Sequence, residues 1–393
     1  MGDSSTLRHL LLSLLVVLLS ISAVRSFFGR LMIPDPPDRP RIKRSPDLPL
    51  RFNHDGTFKI LQVADMHYAR GIGTRCRDVT PSEFAHCSDL NTTRFLRRMI
   101  ESEKPDFIAF TGDNIFGSSS TDAAESMFAA FGPAMEARIP WAAILGNHDQ
   151  ESTMSREELM LFISLMDYSV SQVNPPLTSI DGFGNYDLRV NGAFGSDLVN
   201  SSVLGLYFLD SGDRSTVEGV RGYGWIKESQ LAWLRGASEA LQNVKLNNEW
   251  NTLHKCEVPA LTFFHIPIPE VRQLWFKEIV GQFQEAVACT SFDSGVLHTL
   301  VSMGDVKAVL LGHDHLNDFC GEMDGIWFCY GGGFGYHAYG RAGWHRRARV
   351  VNIELKRGEK TWLGVQRIQT WKRLDDANLT KFDEQVLWDV AAR

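Results

Sequence analysis

Five clusters along the chain combine Asp, Asn and His in a way that suits metal binding: Asp65-Met66-His67, Gly112-Asp113-Asn114, Gly146-Asn147-His148-Asp149, His265, and Gly312-His313-Asp314-His315. Oxygen and imidazole donors without a thiolate favour iron, zinc or manganese over a structural zinc knot. Taken singly each cluster says little, because an Asp after a strand commonly caps a helix or turn and a lone His is commonly a satisfied core group. Taken together, Asp65, His67, Asp113, Asn147, His265, His313 and His315 exceed the ligand needs of one four-coordinate ion. Two ions about 3.5–4 Å apart would share a carboxylate and clamp a phosphoryl oxygen between them.

Each cluster follows an apolar run. Phe58–Ala64 leads to Asp65, Phe107–Thr111 to Gly112-Asp113, Trp141–Leu145 to Gly146-Asn147, Leu261–Phe264 to His265, and Val306–Leu311 to Gly312-His313. Near-continuous apolar runs suit strands covered on both faces, and residues just past the carboxyl ends of such strands are where open α/β sheets bind ligands. Helical spacing over Thr93–Glu103 and Asp122–Ala137 supplies crossovers, Tyr207–Asp210 reads as another strand, and an aromatic-rich helix follows around Gln230–Leu241. The fold class is therefore α/β. Short strands with glycine turns from Gly325 to Gln369 predict a second sheet of mostly antiparallel character. The basic run His345-Arg346-Arg347-Ala348-Arg349 enters Val350-Val351 and reads as a strand with one charged face. Gly331-Gly332-Gly333 with Gly335 has no following Gly-Lys-Ser/Thr, so it is no phosphate-binding P-loop and instead permits close backbone approach.

The ordered set Asp65-x-His67, Gly112-Asp113-Asn114, Gly146-Asn147-His148-Asp149, His265 and Gly312-His313-Asp314-His315 resembles the motif set of the metallophosphoesterase (calcineurin-like) superfamily over about Phe58 to Leu316. Tyr223-Gly224-Trp225-Ile226, Phe264-His265-Ile266-Pro267 and Gly340-Arg341-Ala342-Gly343-Trp344 further resemble the short plant branch of the purple acid phosphatases, whose members carry the label "probable inactive". The resemblance implies a four-layer α/β/β/α sandwich of two mixed sheets flanked by helices. It implies one metal held by Asp65, His67, Asp113 and His315 and another by Asp113, Asn147, His265 and His313, with Asp113 as the bridge and iron paired with zinc or manganese as the ions. It also implies hydrolysis of a phosphate monoester by a metal-bound hydroxide, with Asn147, His148 and His313 touching the substrate, His148 protonating the leaving oxygen and Asp149 orienting His148. The alternatives are a phosphodiesterase or nucleotide pyrophosphatase, and a catalytically silent protein that binds phosphorylated ligands. One departure stands out: purple members carry a metal-binding Tyr where this chain has Phe116, and an Asp-x-Gly where it has Asp65-x-His67, so His67 would replace the lost ligand. Arg70, His337 and Arg341 lie in loops near site elements and are weaker candidates for gripping phosphate or leaving group.

The remaining features concern compartment and domain layout. Arg8 precedes an apolar run from Leu10 to Leu19, shorter than the roughly 20 residues that span a bilayer. Residues 1–26 read as a secretory signal peptide, with an uncleaved anchor drawn on to Val24 as the alternative. A Pro-rich leader follows over 27–51, and 52–393 forms the catalytic domain. Asn91, Asn200 and Asn378 begin glycosylation sequons. The six cysteines are even in number: Cys76 and Cys87 bracket a loop, Cys320 and Cys329 a hairpin-like turn, and Cys256 with Cys289 is left by elimination. Apolar residues at 44% and charged residues at 22% describe an ordinary globular protein, and a net charge of -7 gives no chain-wide attraction to nucleic acid or anionic membrane. The expected partner is a phosphate ester.

Overall fold

The apolar runs that precede the polar clusters all become strands of parallel ladders. The computed structural model describes residues 12–17, 19–20, 48–175, 179–246 and 258–392. The chain divides into two units, Met1–Arg44 and Ser45–Arg393. In the first, the described residues are helical and exposed; the expected signal segment and most of the leader lie outside the described residues. Among those described, no helix is long and apolar enough to cross a membrane.

Among its described residues the second unit holds fourteen strands: β1 (Leu50–Arg51), β2 (Thr57–Val63), β3 (Phe107–Thr111), β4 (Trp141–Ile144), β5 (Tyr186–Asn191), β6 (Ser202–Phe208), β7 (Ala260–Phe263), β8 (Ile279–Val280), β9 (Val306–Leu311), β10 (Cys320–Met323), β11 (Ile326–Tyr330), β12 (Arg347–Arg357), β13 (Trp362–Leu374) and β14 (Lys381–Asp389). They form two mixed sheets, one ordered β14-β13-β12-β2-β3-β4 and the other β1-β5-β6-β7-β9-β11-β10-β8. The parallel centres are β2-β3-β4, in register Ile60↔Phe107 and Ile108↔Trp141, and β6-β7-β9-β11. Every residue of β3, β4, β7 and β9 is buried, as their predominantly apolar sequences suit strands covered on both faces.

Helices cover the outer faces. Helix α1 (Asp89–Glu103) starts at a capping box on Ser88 and stops at Lys104, which is left-handed ahead of Pro105. Asp122 caps α2 (Ala123–Glu136) by accepting from Glu125 N, and Ser155 caps α3 (Arg156–Leu165). On the six-stranded sheet, Phe131 of α2 stacks on Trp141 with centroids 4.4 Å apart and meets Phe110 edge-on at 4.7 Å. On the other sheet, Leu241 of α4 (Glu228–Leu246) packs where Gly205 of β6 leaves room. A shorter helix, α5 (Val296–Met303), precedes β9. Between the sheets, Phe107 meets Phe208, which stacks on Phe263 and Tyr186. Each such fully buried ring contributes roughly 1.5–3 kcal/mol. The result is two mixed sheets face to face with helices outside, the four-layer α/β architecture expected.

Two expectations change. The antiparallel strands near the C-terminus are long rather than short, and they do not make a separate sheet: β12 pairs antiparallel with β2 through Val351↔Ile60 and brings β13 and β14 into the first sheet. The basic run is also not a solvated face, since Arg346, Arg347 and Arg349 are all buried. Arg349 donates to Tyr330 O, Asp318 O and Thr370 Oγ1, and Arg347 and Lys372 pair with the Asp318 carboxylate. A buried guanidinium is tolerable because its donors are satisfied. The body of the fold also starts slightly before residue 52, as Leu50 pairs with Val190 at a sheet edge.

Candidate metal centre

The site forms where the carboxyl ends of the two parallel centres meet. Strands β2, β3 and β4 deliver Asp65 and His67, Asp113, and Asn147 with His148; β7 and β9 deliver His265, and His313 with His315. Beneath it, Gln62 donates to Thr111 Oγ1 on its own sheet and to Leu311 O at 2.8 Å on the other, pinning the seam. The loops after β2 and β3 are zipped by His67 N to Asp113 O at 2.9 Å and Tyr68 N to Asn114 O at 3.1 Å.

Backbone strain concentrates on the ligand residues: Asp65, His67, Asp113 and His313 have φ of 57°, 45°, 49° and 82°. Left-handed non-glycine residues cost about 1 kcal/mol or more each and persist where surrounding structure over-determines them. Gly146 is needed for close approach, because a Cβ there would lie 2.1 Å from Asp113 Oδ1. At Gly335 a Cβ would fall 1.7 Å from Met66 O, so the glycine run lets the segment after β11 lie on the Asp65 loop, donating from Gly335 N to Asp65 O.

Six of the seven expected ligands converge. Asp65, His67, Asp113 and His315 form one group of buried donors with ligand atoms within 4.8 Å of one another, and Asp113, His265 and His313 form a second. Asp113 belongs to both: its Oδ2 lies 3.4 Å from His67 Nε2 and 3.2 Å from His265 Nε2, while Oδ1 accepts from His148 N at 2.8 Å. His265 Nδ1 donates to Thr111 O at 2.8 Å and His315 Nδ1 to Tyr339 O at 3.0 Å, so each ring turns Nε2 inward toward the carboxylates. Asn147 Oδ1 and His313 Nε2 are buried without a hydrogen-bond partner among the described residues. Orphaned buried acceptors of this kind cost about 1–3 kcal/mol each unless something binds them, and a pair of cations fits the donor set.

Electrostatics agree with that fit. Burial pulls the imidazole pKa of His67 down to about 4 and of His313 to about 3, so both are neutral lone-pair donors at neutral pH. Burial also pulls on His265, but the Asp113 and Asp65 carboxylates override it and hold the ring up at about 9. Burial raises Asp113, yet His265 and His67 outweigh it and keep that carboxyl well below the usual range. Metal binding would displace the His265 proton.

His148 and Asp149 part company. His148 is partly exposed at the rim, and Glu151 Oε2 lies 2.9 Å from its Nδ1. Asp149 is fully buried and points into the scaffold, accepting from Ile115 N at 2.9 Å, Gly146 N at 2.7 Å and Asn114 Nδ2 at 3.3 Å. The expectation that Asp149 orients the His148 ring is therefore corrected: Asp149 holds the loop, and Glu151 is the carboxylate at the ring. A carboxylate beside a strand-end turn is drawn to free backbone N–H groups, and here two of them claim it. Sequence reading also missed Tyr339, whose ring stacks on His315 at 3.8 Å, and Tyr223, edge-on to His313 at 4.5 Å. The i,i+3 spacing of His148 and Glu151 was a visible signal; the carbonyls of Thr111 and Tyr339 had none, since every residue has one.

The weaker candidates lie at or beyond the rim. His337 sits edge-on to Phe116, Arg70 is exposed, and Arg341 reaches away to Gln284 Oε1 at 2.7 Å. Of the cysteines, Cys76 is joined to Cys87 and Cys320 to Cys329. Cys289 is buried and has no disulfide partner among the described residues, and its expected partner Cys256 lies outside them. Asn200 and Asn378 are exposed, whereas Asn91 lies in the first turn of α1.

Strand-end ligands on two facing sheets, sharing one carboxylate, define a dinuclear phosphoesterase scaffold, and residues 58–317 match the calcineurin-like phosphoesterase family, to which this chain belongs. "Probable inactive purple acid phosphatase 28" of Arabidopsis thaliana is 64% identical over 89% of each chain, and "Probable inactive purple acid phosphatase 29" of the same plant is 54% identical over 87% of this chain and 89% of its own. "Phosphatase DCR2" of Saccharomyces cerevisiae is 34% identical over 86% of this chain and 57% of its own. Among solved structures, a dimetal phosphatase from Danio rerio aligns over 84% of this chain and 98% of its own with a TM-score of 0.51 and 14% identity, a likeness of fold. The family uses two metal ions on phosphate esters, and the centre above is the candidate site for them.

Proposed function

We propose that this protein is a secreted phosphatase that hydrolyses phosphate monoesters at a dinuclear centre of iron with zinc or manganese. The observation that supports this best is the position of Asp113 Oδ2 between His67 Nε2 and His265 Nε2, 3.4 and 3.2 Å away, with a further imidazole in each group. Asp65, His67, Asp113 and His315 would hold one ion, and Asp113, Asn147, His265 and His313 the other. When bound, the two ions supply a water nucleophile of lowered pKa and a clamp on the phosphoryl oxygens. The chain's own residues do the rest. Asn147 and His313 face the phosphate, and His148, anchored through its backbone to Asp113 and bracketed by Glu151, presents its ring to the leaving oxygen. Its proton neutralises the developing alkoxide, an assistance worth about 10²–10⁴-fold. Phe116 offers no metal donor, so a metal-loaded preparation should lack purple colour. Two disulfides suit an oxidising compartment, as a cleaved signal segment over residues 1–26 would require.

A second reading, a silent binder of phosphorylated ligands, is favoured by the names of the plant relatives and by Phe116 in place of a ligating Tyr. Retention of His148 at the rim weighs against it, since binding needs no general acid. Assaying phenyl phosphate and a phosphodiester with the metal-loaded protein and its His148→Ala variant separates the possibilities. Monoester turnover that falls at least about 100-fold in the variant supports the phosphatase; faster diester turnover selects the phosphodiesterase, and no turnover at all selects the binder.

A further inference from the structure

Phe116 stands where purple relatives ligate metal, and its ring is free to do something else. Its centroid lies 5.2 Å from that of His67, 4.9 Å from that of His148 and 5.5 Å from that of His337. The Arg77 guanidinium carbon lies 5.8 Å from the same ring. His337 is a wall rather than a free ligand: Nδ1 donates to Arg75 O at 2.8 Å and Nε2 lies 3.1 Å from Ser119 Oγ. Arg77 differs. Its side chain is exposed, and among the described residues neither it nor Arg70 has a carboxylate partner. From Arg70 to Arg77 the chain carries three arginines and no acid, and the next residue, Asp78, accepts from Gly340 N. The backbone of Arg77 is fixed from both sides, by Arg77 N to Tyr336 O at 2.8 Å and Arg346 Nη2 to Arg77 O at 2.9 Å, beside the Cys76–Cys87 bridge. The guanidinium is thus carried on a fixed backbone, which removes the loop-ordering part of the cost of binding.

A leaving group protonated by His148 has Phe116 as its next neighbour and Arg77 beyond. We propose that Phe116 and Arg77 form the leaving-group subsite and that it selects esters whose leaving group carries a phosphate of its own. This rests on the phosphoesterase reading given above. The chemistry is ordinary hydrolysis: a water oxygen bonds to phosphorus, the bond to the leaving oxygen breaks, and that oxygen takes the proton held at His148. Products are orthophosphate and an alcohol or phenol that keeps its second phosphate. Guanidinium is the side chain best matched to that second phosphate, because it donates two parallel hydrogen bonds to it.

Phenylphosphonate and benzene-1,4-diphosphonate, which are not hydrolysed, isolate the second anion. Calorimetric titration of both into the metal-loaded full chain should show preference for the diphosphonate. The ratio of the two affinities should fall about tenfold or more in Arg77→Ala and less in Arg77→Lys. Equal affinities in the wild type, or a ratio unmoved in Arg77→Ala, would overturn the subsite. Turnover of phenyl phosphate in the same preparation reports separately on the hydrolase reading: its absence alongside an intact preference would uphold the subsite and overturn the hydrolase.

Discussion

The Nε2 atoms of His67 and His315 face one another at 3.0 Å in a site where neither can reach water. His315 Nδ1 donates to Tyr339 O, which turns its Nε2 toward the second ring, and a cation between the two rings would bind both nitrogens. Metal removal should therefore destabilise the fold. Chelation is expected to lower Tm by several degrees, and adding back zinc or manganese should restore it in a concentration-dependent way, since a ligand that binds only the native state stabilises by RT ln(1 + [L]/Kd). A Tm indifferent to chelator and metal would count against the site.

Asp149 and Glu151 should behave as different kinds of residue. Asp149→Ala strips acceptors from Ile115 N and Gly146 N and should cost about 1–3 kcal/mol of stability, read by urea denaturation. Glu151→Ala should leave stability nearly unchanged and lower kcat, with a larger loss on alkyl phosphates than on activated aryl phosphates, because only poor leaving groups depend on proton transfer. If the leaving-group dependence belongs to Asp149 instead, the corrected assignment is wrong.

The candidate ligands are legible because each strand end announces itself: β2, β3, β4, β7 and β9 are largely apolar runs that give way within a few residues to Asp, Asn or His. The partner of His148 was not legible, because adjacency in Asn147-His148-Asp149 says nothing about which carboxylate the turn directs inward. Backbone N–H groups of Ile115 and Gly146 captured Asp149 and left Glu151 for the ring. The C-terminal strands were seen as antiparallel, but their sheet was not, since strand order depends on the Val351↔Ile60 pairing across most of the chain. Buried Arg349 looked like a surface charge for the same reason: the carbonyls that satisfy it come from Tyr330 and Asp318.

Asp305 predicts a pH dependence of stability. Its carboxyl is buried, which raises its pKa, and Tyr207 and Ser238 both donate to its Oδ2 at 2.7 Å. A folded pKa above the unfolded value of 3.8 means that the native state holds the proton longer, so this contribution is full at low pH and is lost as pH rises through the folded pKa. The Tm of Asp305→Asn relative to the wild type should therefore climb as pH increases from that low limit to neutrality. A difference that stays constant across that range, or one that falls, would contradict the assigned shift.

The sequons should not be used equally. Asn200 and Asn378 are exposed in loop segments, whereas Asn91 is part-buried in α1 and its Oδ1 accepts from Ser88 N at 3.3 Å. Protein expressed through a secretory pathway should carry glycans at Asn200 and Asn378 and little or none at Asn91, as peptide mass mapping before and after deglycosylation would show. Full occupancy at Asn91 would mean that the capping box forms only after modification.

Whether Asp113 bridges two ions at one catalytic centre is decided by elemental analysis of metals per chain, in the wild type and in Asp113→Asn. A bridging Asp113 gives close to two ions per wild-type chain, with hydrolysis of phenyl phosphate, and loss of both ions and of turnover together in the variant. Wild-type protein that binds no stoichiometric metal, or a variant that keeps both ions, would contradict it.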